Sequence, residues 1–139
     1  MTDFSRNIIK KHNHWTVSVH INQEYLGRCV IWCNREDAHD LADATTEELL
    51  EFSKIIKELK VAIEKSFNSD WMNYSFLGND ADYRHLHCHM VPRYMSERQF
   101  NGQMFRDPRW GYNWLLNESF QTSEELLQAI KKKIQENYT

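Results

Sequence analysis

The sequence predicts an α+β fold: a mostly antiparallel sheet of about five strands with one long helix and a C-terminal helix. Three observations predict it. Residues 14–22 alternate polar and apolar with the period of a half-buried strand. Residues 27–33, "GRCVIWC", are apolar almost throughout, as in a central strand covered on both faces. Apolar residues then recur at steps of three and four between Leu49 and Ile63, the period of a helix with one buried face.

Each element follows in order. In "HWTVSVHIN", Trp15, Val17, Val19 and Ile21 take one face, and His14, Thr16, Ser18, His20 and Asn22 the other. "QEYL" turns the chain into the strand at 27–33, and a polar loop leads to the long helix. Thr45 and Glu48 have the form of a capping box, in which hydroxyl and carboxylate each satisfy a free amide of the first turn. Leu49, Phe52, Ile56, Leu59 and Ile63 mark the buried face, and the helix should end near Phe67. "WMNYSFLG" (71–78) alternates again, with Met72, Tyr74 and Phe76 opposite Asn73 and Ser75. After a turn-rich "GNDADYR" comes the next strand, "HLHCHMVPRY" (85–94). Residues 96–120 scatter Gly, Pro and Asn among aromatics and read as irregular. A last helix starts at Thr122, whose Glu125 repeats the capping-box form, and runs to about Gln135.

Bulk properties bound the function. A chain of 139 residues is one domain's worth, taken as 1–139, with a histidine-bearing core at 14–94 and an aromatic extension and helix at 95–139. The formal net charge of -3 argues against general nucleic-acid binding, which needs a basic excess. The N-terminus has no apolar stretch of signal-peptide length, and no run approaches a membrane span. Cys29, Cys33 and Cys88 are an odd, dispersed set without a CxxC pair. These features lead us to expect a cytoplasmic protein, with cysteines as small core residues and no membrane partner.

The chemistry concentrates in "HLHCHMVPRY". On a strand, His85, His87 and His89 share one face, and Leu86, Cys88 and Met90 share the other. Three uses are open: a metal site, a solvated polar face and a catalytic set. Neighbouring histidines stand roughly 6.6 Å apart along the backbone and the outer two roughly 13 Å. Zinc–nitrogen bonds of about 2.0–2.1 Å cannot draw all three onto one ion, so the geometry disfavours metal. Nothing about a solvated strand selects His over Thr or Lys, which weakens the second use. Neutral imidazole can attack phosphorus, splitting one hard step into two, and its neighbours can stabilise phosphoryl oxygens or assist the leaving group. His20 joins the candidates if the fold brings it to the same pocket.

The run His85-Leu86-His87-Cys88-His89-Met90-Val91, followed by "PRY", resembles the histidine triad superfamily, whose motif is His-φ-His-φ-His-φ-φ with φ apolar. "LGRCVIWCNREDAHDL" and "MNYSFLGND" resemble its preceding segments, so the likeness covers roughly residues 14–94. It is closest to the dinucleoside polyphosphate hydrolase-like branch. The resemblance implies a hydrolase or nucleotidyl transferase acting at the α-phosphate of a dinucleoside polyphosphate, nucleoside phosphoramidate or related nucleotide, through a covalent nucleotidyl-histidine. It implies His87 as nucleophile, His89 as phosphate contact and leaving-group helper, and His85 as the residue that holds the geometry. It places Asn22 near a ribose-binding position and Asn79, with Asn73 as rival, at a phosphate contact. Arg93 shares the triad's parity and joins the nucleotide-binding candidates. The partner implied is a small nucleotide, with no cofactor beyond a divalent cation carried by the substrate, no metal held by protein ligands, and a second copy of the chain in a homodimer. Two departures stand out. Arg28 occupies the place of a fourth histidine found in many members, where it can fork hydrogen bonds onto a phosphate or pair with a carboxylate but cannot shuttle a proton. Asp82 stands where many members have Ser or Thr near the leaving group. A nucleotide-binding regulator with little turnover, and behind it a metal-binding protein, are the other readings. The aromatic run "MFRDPRWGYNW" reads first as packing or interface, and second as a platform for a base.

Overall fold

The computed structural model describes residues 4–78, 81 and 83–138. Two expected site residues, Asn79 and Asp82, lie outside the described residues. The strands are β1 (Ile8–Lys11), β2 (Trp15–Val19), β3 (Cys29–Cys33), β4 (Trp71–Leu77), β5 (His87–Arg93), β6 (Arg98–Phe100) and β7 (Gln103–Phe105). The helices are α1 (Thr46–Phe67) and α2 (Glu124–Asn137), with short 3-10 turns at Phe4–Asn7 and Leu41–Asp43. Five strands form one antiparallel sheet in the order β1-β2-β3-β5-β4, and β6 and β7 form a separate hairpin. The expected α+β fold with a five-stranded sheet, a long helix and a C-terminal helix is what the chain adopts.

One face of the sheet is core. Trp15, Val17, Val19, Cys29, Ile31, Cys33, Cys88 and Met90 are buried there against Phe52, Ile55, Leu59 and Ile63 of α1 and Ile130 and Ile134 of α2. Burying a side chain of this kind contributes roughly 1.5–3 kcal/mol, so this layer carries most of the stability. The α1 capping box forms as expected: Glu48 N–H donates to Thr45 Oγ1 at 3.1 Å, and Thr45 N–H to Glu48 Oε1 at 2.8 Å. The buried face is rotated from the expected one, with Ile55 inside and Leu49 exposed. At α2 the cap is Ser123 rather than Thr122, because the Thr122 hydroxyl accepts from Gln23 N–H instead.

Other boundaries shift for tertiary reasons. β2 stops at Val19, so Ile21 leaves the core face and is exposed. The core extends beyond residues 14–94, since β1, Phe105 and α2 all contribute to it. Gly27 turns the chain between β2 and β3 with a φ of 88°, and a Cβ there would meet the Phe67 ring at 3.0 Å. The buried Gln23 side chain fixes the same turn, donating to the carbonyls of His20 and Arg28, each at 2.8 Å, and accepting from Gly27 N–H at 2.8 Å. The turn thereby sets where His20 and Arg28 leave the sheet.

Candidate active site

Pairing across the sheet places the functional side chains in rows. His87 pairs with Trp32 of β3 and Leu77 of β4. His89 pairs with Val30 and Ser75. Residues two apart on a strand share a face about 6.6 Å apart, so the two histidines are successive steps on the face opposite the core. A cavity of about 450 Å³ opens over this face. His20, Arg28, Trp32, His87, His89 and Trp114 line it, with apolar side chains between them.

The hydrogen bonds define which nitrogen does what. His87 is buried, and its Nδ1 lies 2.7 Å from the carbonyl oxygen of His85. A carbonyl only accepts, so Nδ1 carries the proton and, in the neutral ring, Nε2 carries the lone pair. Trp32 stacks on the His87 ring with centroids 4.5 Å apart and planes 27° apart, which restricts its rotation. The His89 ring stands edge-on to His87 at 5.0 Å. Arg28 donates from a terminal guanidinium nitrogen to His89 Nδ1 at 3.2 Å. That nitrogen must supply a lone pair, so His89 is neutral with its proton on Nε2. The two rings thus hold opposite tautomers.

The far end of the cavity carries charge. Arg28 is 1% exposed, and burial lowers its pKa to about 10, which leaves it cationic at neutral pH. Trp114 covers it at 4.9 Å from guanidinium carbon to ring centroid. His20 lies 5.8 Å from His89, ring to ring. Its Nδ1 accepts from Asn22 N–H at 2.9 Å, which puts the remaining proton on Nε2. Desolvation, followed by the charge of Arg28, pushes the His20 pKa down to about 3, so this ring is a neutral donor.

Several expected residues lie elsewhere. His85 precedes β5, and its Nε2 donates to the carbonyl of Cys33. The three histidines therefore do not share one strand face: two line the cavity, and the first contributes its carbonyl. Arg93 and Asn73 are away from the cavity and bonded to each other at 2.5 Å, with Arg93 also clamped on Asp107. The Asn22 side chain ties the β2–β3 turn to the carbonyl of Asn117 at 2.9 Å and accepts from Glu24 N–H. Trp114, from the irregular segment, lines this chain's own cavity and donates to Ser75 Oγ at 3.2 Å. Trp32, Gln23 and Asp107 had no distinguishing signal in the sequence. Among the described residues no group of three His, Cys, Asp or Glu is placed to hold a metal ion.

The same arrangement of sheet and helices occurs in solved structures. A histidine triad protein from Sinorhizobium meliloti superposes with a TM-score of 0.75, covering 99% of this chain and 96% of its own at 18% identity. The chain has the histidine triad fold. A hypothetical histidine triad nucleotide-binding protein from Sulfolobus tokodaii is similar at a TM-score of 0.70 and 14% identity, covering 94% of this chain and 82% of its own. A diadenosine triphosphate hydrolase from Plasmodium falciparum is similar at 0.68 and 12% identity, covering 95% and 76%. No protein-family model and no curated protein matches the sequence. At these identities the likeness is one of fold. In this histidine triad fold the motif's second and third histidines, rather than all three, reach the cavity.

Proposed function

We propose that the protein is a nucleotide hydrolase or nucleotidyl transferase working through a covalent nucleotidyl-histidine at His87. The observation that carries this reading is the His87 tautomer: Nδ1–H is spent on the His85 carbonyl, which leaves the Nε2 lone pair as nucleophile. In the first step Nε2 forms a bond to the α-phosphorus as the bond to the leaving group breaks, its electron pair departing with that group. In the second, water or another acceptor attacks phosphorus, the N–P bond breaks, its pair returns to Nε2, and the acceptor's proton goes to solvent. His89 Nε2–H and the Arg28 guanidinium supply hydrogen bonds where negative charge gathers. Any divalent cation would arrive on the substrate phosphates.

Incubation with a panel of dinucleoside polyphosphates and nucleoside phosphoramidates tests the proposal by release of nucleoside monophosphate. His87→Ala should abolish it, a loss of at least about 10³-fold. A His87→Ala variant as active as wild type would remove the nucleophile assignment. A binding protein with little turnover is the second reading, favoured by Arg28, which cannot pass a proton. Nucleotide binding without release would select it. The homodimer implied by the resemblance belongs to the same proposal and is checked by light scattering.

A further inference from the structure

The cavity places a buried cation beside the reacting pair with no carboxylate among the described residues to match it. Among the described residues none of the ion pairs involves Arg28. Its Nε and one terminal nitrogen are buried with no hydrogen-bond partner among the described residues. Such a charge is costly to desolvate, and a cation–π contact returns only a small part of that cost. His20 adds a neutral N–H at the same end, so the wall offers donors and positive charge together.

We propose that Arg28 and His20 form a second anion subsite that makes the protein selective for phosphoanhydrides, in which a phosphate is the leaving group, over phosphoramidates. This rests on the reading of His87 as nucleophile. When the bridging P–O bond breaks, the electron pair stays on a phosphate oxygen. That phosphate is stable as an anion near neutral pH, its second pKa being about 6, and needs no proton from the protein. Arg28 and His20 receive it. An amine leaving from a phosphoramidate must instead take up a proton as the P–N bond breaks. The ring beside it, His89, is already neutral because Arg28 donates to its Nδ1, and a guanidinium does not release protons near pH 7. Arg28 thus favours one leaving group by charge and disfavours the other by withholding a proton.

Two measurements on the intact protein test this. The first is calorimetric binding of inorganic pyrophosphate, which involves no turnover. Wild type should bind, Arg28→Gln should bind at least about 10-fold more weakly, and Arg28→Lys should keep most of the affinity. Failure of wild type to bind, or equal binding by Arg28→Gln, overturns the subsite. If Arg28→Gln does not fold, wild type and Arg28→Lys still decide it by binding or failing to bind. The second compares kcat/KM for a dinucleoside polyphosphate and a nucleoside phosphoramidate. Wild type should favour the polyphosphate by at least about 10-fold. Arg28→His should shrink that ratio, raising the phosphoramidate rate. A wild type that prefers the phosphoramidate, or a ratio unmoved in Arg28→His, overturns the selectivity. Pyrophosphate binding by wild type that is lost in Arg28→Gln, with no nucleotide turned over, would sink the hydrolase reading and keep the anion site.

Discussion

Arg28 and Arg93 are equally hidden, at 1% and 2% exposure, yet they are opposite kinds of buried charge. Arg93 has an acceptor for each guanidinium nitrogen. Asp107 takes Nε at 2.7 Å and a terminal nitrogen at 3.1 Å, Asn73 and the Tyr112 carbonyl take the other, and the Arg109 carbonyl completes the set. Among the described residues Arg28 has one acceptor, a histidine nitrogen in the cavity. Burial alone therefore does not separate a structural arginine from a functional one; the count of satisfied donors does. Arg93 holds the segment 107–112 against the end of β5, and Arg28 faces the reacting pair.

The largest effect should come from breaking the satisfied pair. Asp107→Ala leaves the Arg93 guanidinium buried without its carboxylate, and also strands the Tyr94 N–H that donates to Asp107 at 3.2 Å. Removing one partner of a buried ion pair costs about 3–5 kcal/mol. Urea denaturation should show a loss of that size, and a loss under about 1 kcal/mol would mean the clamp is dispensable. The comparison predicts little change in pyrophosphate affinity for whatever Asp107→Ala protein remains folded, because Arg93 does not line the cavity.

A smaller effect should appear in the pH dependence of stability at the Arg28 end. His20 is held neutral in the fold, with its pKa lowered to about 3, against an unfolded value of about 6.5. Between these values the unfolded chain binds a proton that the folded chain does not. Stability therefore falls as pH drops from about 6.5 toward 3, with a slope of up to about 1.4 kcal/mol per pH unit from this group. Denaturation curves between pH 7 and 5 should show that slope for wild type and a flatter one for His20→Gln. Equal slopes would show that His20 is free to protonate in the fold.

The same contrast shows what the sequence could and could not reveal. Period-2 patterns identify β2 and β4, a period-3.6 pattern identifies α1, and an unbroken apolar run identifies β3. β1 escapes because "IIKK" has only two apolar residues and exists as a strand through its pairing with β2. His85 has the right spacing for the cavity, but β5 begins at His87, and where a strand begins depends on its neighbours. Arg93 has the right parity as well, yet parity does not say which end of a strand meets the cavity. Its carboxylate partner comes from the irregular segment, where no period predicts a contact. Arg28 was the reverse case: the sequence left a phosphate and a carboxylate as alternative partners, and the hydrogen-bond accounting removes the carboxylate among the described residues.

The smallest stability change should come from Arg28→Met, and its sign carries the meaning. The substitution removes a buried charge that no carboxylate among the described residues matches, which favours the fold, while Met fills similar apolar space beneath Trp114. Against that, it ends the cation–π contact and strands His89 Nδ1, costing about 1–3 kcal/mol for the lost hydrogen bond. The opposing contributions should leave the ligand-free protein within about 1 kcal/mol of wild type, where Asp107→Ala loses several. Nucleotide turnover should nonetheless fall by about 10-fold or more, since the charge facing the phosphates is gone. Thermal unfolding of both variants, beside their rates on a dinucleoside polyphosphate, checks the pair together. If Arg28→Met were as destabilising as Asp107→Ala, Arg28 would be a second structural clamp and the distinction between the two arginines would fail.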